Sequence, residues 1–87
     1  MNLRRLRAFV TVAEELHFTR AAAKLFVAQQ SLSKQIAELE DQVGTRLLQR
    51  TSRSVELTPA GTVFLATARE VLACFDRGVD EARRVGL

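Results

Sequence analysis

Residues 28–44, "AQQSLSKQIAELEDQVG", decide the fold. Leu32, Ile36, Leu39 and Val43 recur at intervals of four, three and four, which aligns them on one face of a helix. Gly44 is the residue type that ends such a helix, so the predicted span is 29–43. Rotation by about 100° per residue sets Gln30, Ser33, Lys34, Ala37 and Asp41 opposite the apolar stripe, with Gln29 at the amino end. The first two turns thus expose amide, hydroxyl and ammonium groups, while Glu38, Glu40 and Asp41 come only near the end. Those early groups are the ones that hydrogen-bond base edges: glutamine suits adenine, lysine suits guanine, and serine adapts. Docked by its amino end, such a helix keeps its acids away from phosphate and turns the positive end of its dipole toward a polyanion. A merely solvated polar face is the plain alternative, and the neighbouring segments decide between the two.

Upstream, Thr19 stands where a cap belongs, ahead of "RAAAKLF". Ala21, Ala22 and Leu25 share one face of a helix of about two turns, and the alanines allow close approach of another helix. A short helix and a tight turn before a reading helix are the first half of a helix-turn-helix. Earlier still, Asn2 can cap a first helix over residues 3–15, with Leu3, Leu6, Val10 and Ala13 at helical spacing beside Phe9 and Leu16. His17 and Phe18 are expected to close it, leaving the single histidine at a boundary without metal-binding company.

Downstream of Gly44 the period changes. Leu48, Val55 and Leu57 in "RLLQR" and "SVELT" predict two short strands around the polar "TSR". That is a β-hairpin, with a loose loop as the alternative. "TPAG" opens a last helix with Thr58 as cap and Pro59 in first position. Its apolar residues Leu65, Ala68, Leu72, Phe75, Val79 and Ala82 step by three and four, widened by Val71. The fold class is mainly α: a winged helix-turn-helix of three helices and a two-stranded wing over 1–58, then a long linker helix over 59–87. The part of the stripe near Leu65 must cover the winged helix, whereas Leu72 to Ala82 reach past it and call for a second copy.

Composition agrees. The chain has 87 residues, enough for one small domain, with a net charge of +3 and a sequence pI near 10.0. Residues 1–28 carry five basic and two acidic groups, 44–58 carry three and one, and 29–43 hold one lysine against three acids. Basic segments flank the reading helix on both sides. One cysteine, Cys74, forms no internal disulfide; a reducing cytoplasm and a small buried or interface hydrophobe are its expected setting. No apolar run nears the ~20 residues of a membrane span, and the first segment lacks the small-residue cleavage site of a signal peptide. No glycine-rich phosphate loop appears, and one histidine, one cysteine and scattered acids make no catalytic or metal set.

The run "FTRAAAKLFVAQQSLSKQIAELEDQVGTRLLQRTSRSVELTPAG" resembles the N-terminal DNA-binding domain of LysR-type transcriptional regulators. The short "RAA" helix, the spaced set "LS-K-Q-I--LE---G--L--R" and the closing "LTPAG" carry the resemblance together. It implies a bacterial, cytoplasmic, nucleoid-associated regulator that binds pseudo-palindromic double-stranded DNA as a homodimer, usually a tetramer in full length. It implies no cofactor in this chain, and a small-molecule inducer for a C-terminal domain that lies beyond it. Carried across by position, base contacts fall on Gln29, Gln30, Ser33, Lys34 and, in the minor groove, Arg53. Phosphate contacts fall on Thr19, Arg20, Ser31, Arg50, Thr51 and Ser52. The stripe of Leu65, Ala68, Leu72, Phe75, Val79 and Ala82 is assigned to dimerisation. Two positions depart from the family: Ala28 stands where serine is usual, and Gln30 where proline is frequent.

Two rival functions remain at this point. A helical protein-interaction module would show only non-specific DNA affinity. A winged helix for nucleic-acid architecture would lack sequence choice, and its reading surface would favour arginine and lysine over glutamine and serine.

Overall fold

The computed structural model describes residues 2–86. Asn2 is extended at φ −112°, and its Oδ1 accepts the Arg4 N–H at 2.8 Å, which starts α1, Leu3–Glu15. The helix ends at Leu16, left-handed at φ 50°. Its buried face is Leu6, Ala8, Phe9, Val12 and Ala13. The core stripe is therefore centred on Phe9 and Val12; Leu3 and Val10 lie at its margins, and Leu16 is exposed.

His17 and Phe18, expected to close the first helix, open the second. His17 is extended at φ −159°, and its Nδ1 accepts the Arg20 N–H at 3.1 Å, capping α2, Phe18–Leu25. Thr19, the expected cap, sits instead inside the first turn. Phe18 explains the shift. Its buried ring lies on one helical face with Ala21 and Ala22, three and four residues on, and only an earlier start puts it there.

The third helix, α3, spans Gln29–Val43 with Leu32, Ile36 and Leu39 buried, and Gly44 ends it at φ 90°. Ala28 gives it no side-chain cap. The hairpin is present: β1, Leu48–Arg50, runs antiparallel to β2, Val55–Leu57, with Leu48 opposite Leu57 and Arg50 opposite Val55. Leu47 and Leu48 are both buried, so the chain enters the core one residue before the strand begins.

The last helix, α4, runs Pro59–Gly86. Thr58 Oγ1 accepts the Gly61 N–H at 2.9 Å and donates to the Arg46 carbonyl at 2.7 Å, while the Thr58 N–H donates to the Leu47 carbonyl at 3.0 Å. A Cβ on Gly61 would stand 2.0 Å from that same Leu47 carbonyl oxygen. Glycine is what lets α4 begin flush against the hairpin. Farther along, Arg69 pairs with Glu14 at 3.2 Å and Arg7 with Asp76 at 2.8 Å, and the Phe9 and Phe64 rings meet at 5.7 Å.

The stripe assigned to dimerisation divides here. Leu65, Ala68 and Leu72 belong to this chain's own core, so they are corrected from partner-facing to internal residues. Leu72 lies between the Arg69–Glu14 and Arg7–Asp76 pairs, along the stretch where α4 packs on α1. Beyond it, Phe75 is 49% exposed, Val79 half-buried and Ala82 exposed, with Val71 on the flank at 40%. Cys74 is exposed rather than buried. Among the described residues no helix is long and apolar enough to cross a membrane, and no group of three His, Cys, Asp or Glu is placed to hold a metal.

Candidate nucleic-acid interface

The amino end of α3 and the tip of the hairpin lie side by side, joined by Arg50. Its guanidinium stacks 3.7 Å over the Phe18 ring, and its Nη1 donates to Ser33 Oγ at 3.2 Å. One cation thus spans α2, α3 and β1, held by a π face and a hydroxyl, with its remaining N–H groups free to meet an anion. Phe18 was not foreseen as part of this surface. Its position directly before "TRAA", one turn from the alanine pair, is the signal that marks it.

Around Arg50, Gln29, Gln30, Ser31 and Lys34 are exposed and Ser33 is half-buried. The amino end of α3 is polar, free of acid and open to solvent, as base edges require. Thr19 Oγ1 donates to Gln29 Oε1 at 3.0 Å across the helix-turn-helix turn. This engagement distinguishes Thr19 from a free phosphate donor, although its first-turn N–H, like those of any helix, lacks an intrahelical partner. Arg20 lies 3.6 Å from Glu15 Oε1, and Lys24 lies 2.7 Å from Glu15 Oε2. The Lys24 hydrogen bond holds the Glu15 carboxyl below its ordinary range. Two cations share one carboxylate, so the edge of α2 stays positive.

At the hairpin tip the Thr51 hydroxyl accepts the N–H groups of Arg53 at 3.3 Å and Ser54 at 3.0 Å. Thr51 N–H donates to the Ser54 carbonyl at 2.9 Å. Thr51 therefore shapes the turn, and it, Ser52 and Arg53 are all exposed at the tip.

The acids at the end of α3 do more than stay clear of the site. Glu40 Oε2 accepts the N–H groups of Leu47 at 2.8 Å and Leu48 at 3.1 Å, and its Oε1 lies 3.5 Å from Arg46 Nε. Glu38 pairs with Arg5 at 3.4 Å. Glu40 fixes where β1 leaves α3, and hence where Arg50 stands relative to Ser33.

Residues 3–62 match the family model described as bacterial regulatory helix-turn-helix protein, lysR family. The chain belongs to the LysR family. It is 55% identical over 85 residues to the HTH-type transcriptional regulator YnfL of Escherichia coli strain K12, covering 98% of this chain and 29% of YnfL. It is 47% identical to BenM of Acinetobacter baylyi, covering 98% of this chain and 28% of BenM. The chain therefore spans under a third of these two relatives. Among solved structures, the BenM_DBD/catB site 1 DNA complex superposes with a TM-score of 0.94 at 46% identity, covering 99% of this chain and 97% of that one. The CbnR_DBD–DNA complex gives 0.93 at 38% identity, with each chain fully covered. The winged helix-turn-helix architecture is thus that of LysR DNA-binding domains.

Proposed function

We propose that this chain is the DNA-reading part of a bacterial LysR-type transcriptional regulator. In this reading α3 enters the major groove by its amino end and the hairpin tip meets the minor groove. The observation that carries it is the exposed, acid-free donor surface of Gln29, Gln30 and Lys34 set against the anchored guanidinium of Arg50. Base-edge readers sit on a rigid helix, and an anion-seeking cation sits beside them at fixed distance, the division of labour that sequence-specific binding needs. Similar folds held on DNA support it.

Gln29, Gln30, Ser33 and Lys34 are assigned to bases, and Arg53 to a narrow, A·T-rich minor groove. Arg20, Ser31, Arg50, Thr51 and Ser52 are assigned to phosphate. Phe75, Val79 and Ala82 pair two copies, which sets two reading helices on one face of the duplex. The regulator acts in the cytoplasm, as a dimer or, with its effector-binding part, a tetramer; the small-molecule inducer belongs to that part. No catalytic role is proposed.

Selection of bound duplexes from a random library tests this directly. The expected product is one enriched motif in two inverted halves, centred about one helical turn apart or a small multiple of it. Recovery of unenriched sequence would mark the surface as a phosphate-binding face only.

A further inference from the structure

We infer that Thr19 is a positioning residue that sets which end of the Gln29 amide faces the bases. Thr19 Oγ1 and Gln29 Oε1 lie 3.0 Å apart. Two oxygens that close need a proton between them, and a carbonyl oxygen has none to give, so the hydroxyl donates. The amide oxygen is thereby held toward α2, and the Nε2 amino group takes the other side, toward the exposed front of α3. An unrestrained glutamine can present either end, because rotation of its terminal amide exchanges donor and acceptor at little cost. Here the two residues are Thr19, second in α2, and Gln29, first in α3, and both lie on rigid helices joined by a short turn. Of the two ends, it is the carbonyl that the structure places against the Thr19 hydroxyl, which leaves the amino group outward.

The consequence is a rule of recognition, resting on the reading of α3 as the major-groove helix. With its amino group leading, Gln29 requires an acceptor on the facing base: guanine N7 or O6, adenine N7, or thymine O4. Cytosine offers only its N4 amino donor at that place and is the base refused. Gln30 has no such tether from α2 and stays tolerant of either polarity. Specificity at one position thus comes from a side chain that touches no base.

The test uses a duplex selected with the chain itself, varied through all four bases at the position whose preference disappears in Gln29→Ala. The wild type should disfavour cytosine there by about 3–10-fold, the worth of one hydrogen bond. Thr19→Val, close in shape but without a proton to donate, should cut that penalty below about 2-fold. Thr19→Ser should restore it, and Thr19→Val should add nothing in the Gln29→Ala background. Equal weakening of selected and random DNA by Thr19→Val, persisting in the Gln29→Ala background, would overturn the assignment and make Thr19 a phosphate anchor. A Gln29→Ala chain with unaltered preference at every position would overturn it together with the reading of α3.

Discussion

Phe75→Glu combined with Val79→Glu is expected to give a folded monomer that has lost most of its affinity for a two-half-site operator. The expectation follows from the division of α4. Leu65, Ala68 and Leu72 are buried in the chain's own core, so changes there would act on stability rather than on pairing alone. Phe75, Val79 and Ala82 continue the same stripe beyond that core, and a lone helix carrying an uncovered apolar stripe is marginal in water. Two copies pairing there remove that exposure and carry two reading helices. Linking two sites multiplies affinity by about 10²–10⁴ over one, so the monomer should lose about that factor on a paired operator. On a single half-site it should bind nearly as before. Sedimentation velocity and binding to one-half-site and two-half-site duplexes give the three readouts, with helicity confirming the fold. A wild-type chain that stays monomeric at high micromolar concentration would contradict this account of the helix.

Glu40→Ala should be among the most damaging side-chain truncations outside the apolar core. The carboxylate accepts two part-buried backbone N–H groups, those of Leu47 and Leu48, and balances Arg46. Each buried donor left without an acceptor costs about 1–3 kcal/mol. Because both are only part-buried, the lower part of the two-donor range, about 2–4 kcal/mol, is expected. That is a large share of the roughly 5–15 kcal/mol that holds a small domain folded. Glu40→Gln keeps an acceptor oxygen and should lose less than half as much. Denaturant unfolding of both variants decides the matter. A Glu40→Ala loss within the ~0.5 kcal/mol of an ordinary surface change would show that water replaces the carboxylate without penalty.

The elements were legible where one signal was strong and local. Leu32, Ile36 and Leu39 with Gly44 marked α3, Thr58-Pro59 marked the start of α4, and Asn2 marked α1. What the sequence hid were contacts between elements. A capping residue is chosen by where the next buried side chain must point, so the buried Phe18 shifted the start of α2 from Thr19 to His17. Glu40 read as an acid set aside from phosphate, because nothing local shows that its carboxylate meets backbone N–H groups seven and eight residues on. The stripe of α4 was visible as a stripe, but its partition between core and partner depends on how far α1 reaches along it. Thr19 and Thr51 are exposed, yet each also hydrogen-bonds a neighbour, Gln29 and the Ser54 N–H, which no local pattern shows. Arg50 was placed in the wing correctly; its seat on Phe18 follows only from the packing.

The central claim is that α3 chooses the sequence and the flanking cations only hold the duplex. Dissociation constants of the wild type, Gln29→Ala and Lys34→Ala on a selected operator and on random duplex, at fixed salt, test it most directly. Each variant should lose about 1–3 kcal/mol on the operator and little on random DNA. Equal losses on the two DNAs would contradict the account, placing Gln29 and Lys34 among the phosphate contacts and leaving α3 without a reading role.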